Sequence, residues 1–321
     1  MDLIYTDVDK ADLGVLSAYA FDLSFGADEN NFELTLGLDE PRLNFGAFVY
    51  IEGTEYGGIV DSQRTQTGEE YIKYLGRTWH GMLNSKIIKP DAGAAYLTVS
   101  GDAHDVLAML INRLGLSGLY TTPTGASGIT INKYQFARYC KAYDGIRDMM
   151  ADNGAKLKIA WVGRSVVLSA EPVIDYTESP VDDDMAVLTV QQHRNTVNHL
   201  VCLGRGELAS REVIHLYADA AGKIGDTQFY MGLDEVEDVY DLSTAESSDE
   251  LRSNGIKRMR ELRDADSTDM DMTESADLAY DIGDLVGATD IQTGNSAMAP
   301  VAQKIVRINN GAISIEYQAG G

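Results

Sequence analysis

A chain of 321 residues with 44% hydrophobic content is long enough for two or three compact domains and too apolar for a disordered protein. Its 50 acidic against 26 basic residues, a net charge of −24, argue against a surface that grips phosphate backbones or anionic membranes. Two readings of the acidity stay open, an acidic soluble surface and a surface past which nucleic acid slides without sticking. No apolar run approaches the roughly 18 residues of a membrane span, and the opening MDLIYTDVDK has no signal-peptide regions, so a chain made in a cytosol without membrane insertion is expected.

Residues 1–90 read as consecutive antiparallel strands. Val15, Tyr19, Phe21, Leu23 and Phe25 share one parity, as do Phe32, Leu34 and Leu36, with breaks at 26–28 and 38–41. Residues 47–51, 56–64 and 71–77 continue the series through turns at Glu52-Gly53 and Thr67-Gly68. Twelve acidic residues from Asp2 to Glu55 against only Lys10 and Arg42 make the polar face of this region negative. Residues 79–85 read as a short helical or irregular segment.

Asp102 is an N-cap, and Val106, Leu107, Leu110, Ile111 and Leu114 form the apolar stripe of a helix that Gly115 ends. A second helix over 143–153 stops at Gly154, and 156–162 with 165–170 form a hairpin about Gly163-Arg164. The β pattern returns at 196–203 and 211–217. Residues 234–271 are polar and acidic, with a helix predicted over 248–264 from Leu251, Ile256, Met259 and Leu262, although Gly255 inside it weakens the pattern. Asn310-Gly311 has the positive-φ preference of a type I′ turn between alternating strands at 301–309 and 312–318, so the fold is expected to close on its last strand.

The expected fold is mainly β with α+β insertions, made of two β-barrel domains plus two smaller domains. The first barrel takes residues 1–94 and an α+β domain 95–175. The second barrel takes 176–219 with 273–321, and residues 220–272 form an acidic insertion in it.

No constellation specifies a reaction. His80, His104, His193, His199 and His215 show no HxxxH, HxH or HxxE pairing, and the distant Cys140 and Cys202, read as buried thiols, give no disulfide framework or metal spacing. The acidic triplet at 182–184 and the run at 266–274 do not fit a calcium loop, and LGRGE at 203–207 has GxG without the rest of a dinucleotide fingerprint. With 50 carboxylates, chance acid pairs carry no information. Trp79 and Trp161 read as core anchors, with stacking on a sugar or base as the alternative. No catalytic, cofactor or metal site is therefore expected.

Four segments in order resemble tail hub proteins of long-tailed bacteriophages and of prophage tail-like particles. They are EYGGIVDSQRTQTGEEYIKYLGR with WHGMLNSKII (55–88), YDGIRDMMADNGAKLKIAWVGRSVVLSAEP (143–172), NTVNHLVCLGRGE with REVIHLYAD (195–219), and YDIGDLVGATD to KIVRINNGAISIEYQAG (280–320). The resemblance implies that both barrels are of tail-tube type and that three copies form a pseudo-sixfold ring in a virion tail assembled in the host cytoplasm. Partners implied are a second and third copy, a tail tube or distal tail protein, a tape measure protein, and a spike or fibre protein. DNA would pass through an acidic channel without specific binding, and Asp22, Glu33, Asp61 and Glu316 are candidates for its lining. Lytic or receptor-binding activity is expected on another chain. Two other readings stay open, a carboxylate-dependent enzyme acting on cell wall and a carbohydrate- or receptor-binding module. Exposure of Trp79 or Trp161 would favour the last.

Overall fold

A computed structural model describes residues 1–177, 186–189, 196–219, 222–245, 247–264, 269–273, 279–289 and 296–320. The protein is mainly β with four α-helices and two short 3-10 turns among these residues. Two compact units divide the chain: residues 1–188 with 270–320, and residues 189–269.

The first unit begins with seven strands, β1 (Leu3–Thr6), β2 (Asp12–Leu16), β3 (Tyr19–Gly26), β4 (Asn31–Gly37), β5 (Phe48–Tyr50), β6 (Gly57–Arg64) and β7 (Tyr71–Thr78). Helix α1 (Trp79–Asn84) follows, with Thr78 as its N-cap. Then come β8 (Thr98–Asp102), α2 (Ala103–Arg113), β9 (Tyr120–Thr121), β10 (Thr130–Gln135), α3 (Ala142–Asp152), and the hairpin β11 (Ala155–Val162) with β12 (Ser165–Pro172). Asp102 caps α2 as its position predicts, its carboxylate accepting from the His104 N–H.

Strand β13 (Ala186–Thr189) leads to the second unit, with β14 (His199–Leu203), β15 (Val213–Ala218), β16 (Ile224–Gly225), β17 (Glu237–Asp241) and α4 (Ser248–Asp264). The chain returns through β18 (Asp269–Thr273), β19 (Leu285–Thr289), β20 (Ser296–Asn309) and β21 (Ala312–Ala319). Asn310 and Gly311 both take positive φ, 49° and 85°, so the β20–β21 hairpin closes on the two-residue turn that the Asn-Gly pair predicts.

A curled, twelve-stranded sheet dominates the first unit, in the order β13, β18, β21, β20, β3, β4, β7, β6, β5, β1, β2, with β19 also pairing β20. Its inner face buries Phe21, Leu23, Phe32, Leu34, Val60, Tyr74, Val306, Ile308, Ile315 and Tyr317. Strand β5 is buried on both faces: Val49 joins that core, while Phe48 and Tyr50 join a second core around α1, α2, α3 and the β11–β12 hairpin. The α+β segment therefore shares side chains with its neighbour and is not a separate compact unit.

The terminal hairpin differs from expectation in its partner. Strand β20 pairs antiparallel with β3, Val306 opposite Leu23 and Ile308 opposite Phe21, so it extends the N-terminal strand series. Strands β14 and β15, expected to share a barrel with it, instead belong to the second unit. There they form the four-stranded sheet β16, β15, β14, β17, over which α4 packs Leu251 and Met259 against Leu200, Cys202 and Leu216. The strand that completes this sheet, β17, is a short EDVYD segment inside the acidic stretch; its parallel pairing with β14 leaves no local sequence signature.

Candidate functional site

The four acidic candidates lie on strands of the large sheet, and its register brings them onto one face. Asp22 of β3 stands opposite Glu33 of β4 and opposite Arg307 of β20. Alternation along each strand sends Phe21 and Leu23 into the core and leaves Asp22 exposed between them. Glu33 faces Lys73 of β7 in an ion pair, with Arg64 of β6 at 3.6 Å from its other oxygen. Glu316 of β21 takes Arg307 at 3.0 Å.

Asp61 reaches the same face through a β-bulge. The register of β6 against β7 shifts between Val60 and Ser62, which makes Asp61 the extra residue. Its carboxylate accepts from the Arg77 main-chain N–H at 3.1 Å and holds the guanidinium in a fork at 2.7 and 2.8 Å. The hydrogen bond to Asp61 raises the pKa of Arg77. On this face four carboxylates, Asp22, Glu33, Asp61 and Glu316, therefore stand among four cations, Arg64, Lys73, Arg77 and Arg307, and each cation is engaged by a carboxylate.

Beneath the opposite side of the sheet lies a buried ionic centre that the sequence did not disclose. Lys304 of β20 contacts Glu55 at 2.7 Å and Asp281 at 3.4 Å; Lys156 of β11 contacts Asp281 at 2.9 Å and Asp284 at 2.8 Å. Burial pushes the Asp281 carboxyl up, but Lys304 and Lys156 outweigh it and hold it at about 2. The Glu55 carboxyl is likewise raised by burial and drawn down further by Lys304 and His80, for a net lowering. His80, stacked on Phe25 with ring centroids 4.4 Å apart, is held below its ordinary pKa by burial. With each of the three carboxylates engaged by at least one ammonium group, this centre has the chemistry of a structural clamp.

Trp79 and Trp161 are fully buried and stack on each other with centroids 5.2 Å apart, so neither presents a ring to a sugar or base. Cys202 is buried and its thiol is pushed up to about 11, whereas Cys140 is only half-buried, contrary to expectation. The GxG at 204–206 follows the end of β14, as a strand-ending pair would. His193, the triplet at 182–184 and the side chains of the run at 266–274 lie outside the described residues. His104 makes a local contact with the Gly125 carbonyl. His199 and His215, though, come together in the second unit with Glu235 and Glu237. Four positions scattered over 199–237 converge only because β14 pairs with both β15 and β17, which no short spacing reveals.

The curled sheet with its α+β appendage and a second β unit is the fold of phage tail and baseplate proteins. The chain is similar over 99% of its length to the 43 kDa tail protein of prophage MuSo2 from Shewanella oneidensis, at 11% identity, 98% of that chain and a TM-score of 0.62. It is similar over 99% of its length to prophage tail protein gp18 from Listeria monocytogenes EGD-e, at 12% identity, 94% of that chain and a TM-score of 0.59. A tail protein from Neisseria meningitidis MC58 matches all of the chain at 13% identity, over 96% of its own length, with a TM-score of 0.56. No protein-family model matches the chain, and no curated protein matches it in sequence.

Proposed function

We propose that the chain is a structural component of a phage or prophage tail, a hub at the distal end of the tail tube. Three copies form a ring that joins the tube to the tail tip or baseplate. The observation that carries this reading is likeness of fold to two prophage tail proteins and a third tail protein over nearly the full length of both chains. In it, the curled sheet supplies tube-type wall. The neighbours are the tail tube or distal tail protein, the tape measure protein, and the spike or fibre protein. The role is assembly, without a catalytic step.

The ion-paired sheet face supports a specific version of the channel. A lumen that passes DNA must not offer free cations, because each one releases counterions and holds the duplex. Among the described residues, Arg64, Lys73, Arg77 and Arg307 on this face are each already occupied by a carboxylate. Glu33, Asp61 and Glu316 would then act by quenching cations, because four carboxylates among four cations leave this face without net charge; Asp22, opposite Arg307, supplies the fourth carboxylate.

Multi-angle light scattering with negative-stain microscopy tests the assembly. A particle of three times the 35.0 kDa chain mass, seen as a ring with a central hole, is expected. A strict monomer both alone and with a cognate tube protein, giving no rings, would overturn it.

A further inference from the structure

We propose that the second unit binds a first-row divalent transition metal through His199 Nδ1 and the carboxylates of Glu235 and Glu237. This inference is independent of the tail role. Glu235 Oε1 lies 2.7 Å and Glu237 Oε1 3.0 Å from His199 Nδ1. The three ligand atoms lie within 4.8 Å of one another. Ligands about 2.0–2.1 Å from a common ion stand about 2.9 Å apart at right angles and about 3.3 Å apart at tetrahedral angles, so both separations fall at the octahedral end of that range.

The alternative is a plain hydrogen bond, and the geometry strains it. An Nδ1–H can make one well-directed bond, yet two carboxylates converge on that nitrogen, and without a cation they repel each other. Their partners also have the roles expected around a bound ion. His199 Nε2 lies 2.8 Å from His215 Nδ1. A metal on Nδ1 leaves the proton on Nε2, where His215 accepts it and so fixes tautomer and ring orientation. Tyr217 stacks on the His199 ring at 4.4 Å, and Gln228 donates to Glu235 at 2.7 Å.

The backbone that carries these groups is pinned independently of any ion. His199 opens β14 directly opposite Glu237, which opens the parallel strand β17. The Asn198 side chain accepts from the Val236 N–H at 3.0 Å and donates to the Asp234 carbonyl at 2.8 Å, which holds Glu235 against the start of β14. His199 is nearly buried while Glu237 is 61% exposed, so the site opens to solvent on one side and leaves room for water ligands. One imidazole with two carboxylates suits Zn²⁺, Mn²⁺ or Fe²⁺, whereas Ca²⁺ and Mg²⁺ prefer all-oxygen sets.

Isothermal titration of ZnCl₂ into the EDTA-treated full chain tests the site, with thermal melts in parallel. One ion per chain and a rise in Tm are expected. Glu237→Gln, an exposed position whose change should leave the fold intact, is expected to weaken binding at least tenfold. His199→Ala should abolish it, and His215→Ala should weaken it about 10–100-fold through loss of the outer partner. His104→Ala should bind like the parent. No binding heat and no Tm shift with Zn²⁺ or Mn²⁺, or equal Zn²⁺ affinity in the parent and Glu237→Gln, would overturn the site. Ca²⁺ affinity equal to that for Zn²⁺ would overturn the metal class.

Discussion

Lys156 Nζ lies 2.8 and 2.9 Å from the two carboxylate oxygens of Asp284, and both side chains are 1% exposed although 128 residues separate them. The Asp284 oxygens also accept the Ile174 and Asp281 N–H groups, each at 2.9 Å. One carboxylate thus ties the β11–β12 hairpin, the segment after it and the turn before β19 into one knot. A buried pair of this kind gains little over an apolar pair, but half of it alone is costly. Lys156→Met should lower the unfolding free energy by about 3–5 kcal/mol in urea titrations. Adding Asp284→Leu should restore only part of the loss, because two backbone N–H groups then lack an acceptor. Full recovery in the double variant would show that the N–H contacts contribute nothing.

Acid should loosen the same centre over a defined window. Asp281 titrates at about 2 in the folded protein against about 3.9 in an unfolded chain, so the folded form binds the proton less readily. The stabilisation is complete above about pH 5 and is lost progressively as pH falls toward 2. Glu55, also lowered, adds to the loss in the same direction. Melting temperature should therefore drop steeply from pH 5 to pH 2, and Asp281→Asn should melt lower at pH 6 but with a flatter dependence. Parallel pH profiles for the two proteins would remove Asp281 from the account.

The alternation of Phe21, Leu23 and Phe25, the Asp102 cap and the Asn310-Gly311 turn were legible because each acts through residues close in sequence. Helix α4 was legible as well, since its apolar spacing survives in a polar segment. What sequence could not give was partner choice. Alternating patterns on β20 fit any strand with a buried face, and only the packed sheet selects β3. The parity that exposes Asp22 was readable, but its opposition to Arg307 was not. The ionic centre and the His199 cluster were hidden for the same reason: their members come from strands that meet only through long-range pairing.

If carboxylates on the sheet face serve to quench cations, removing them should create DNA affinity where there was none. The variant Glu33→Gln with Asp61→Asn and Glu316→Gln frees Lys73, Arg64, Arg77 and Arg307. Gel-shift titrations with a short duplex at 50 mM salt should show no binding by the parent and binding by the variant that fades steeply toward 200 mM. A variant that still ignores DNA at low salt, while folded by circular dichroism, would sink the quenching idea.

Gly255 lies inside α4, where glycine costs about 1 kcal/mol relative to alanine in a helix interior. Close approach is the reason for it. A Cβ built there would stand 2.5 Å from Cys202 Sγ and 2.8 Å from Leu216 Cδ1, both in the buried core under the helix. Gly255→Ala should therefore destabilise the second unit: overpacking of about 1–3 kcal/mol outweighs the propensity gain. Cys202→Ala removes the sulfur that the new methyl would meet but leaves Leu216 Cδ1 at 2.8 Å, so in that background the same Gly255→Ala change should cost less than in the parent. Hydrogen exchange of the α4 amides across the four proteins reads the coupling, with an interaction energy of about 0.5–3 kcal/mol expected for side chains in contact. A rise in α4 protection from Gly255→Ala alone would mean that the helix has room to move off the sheet, and that its glycine is not held there by Cys202.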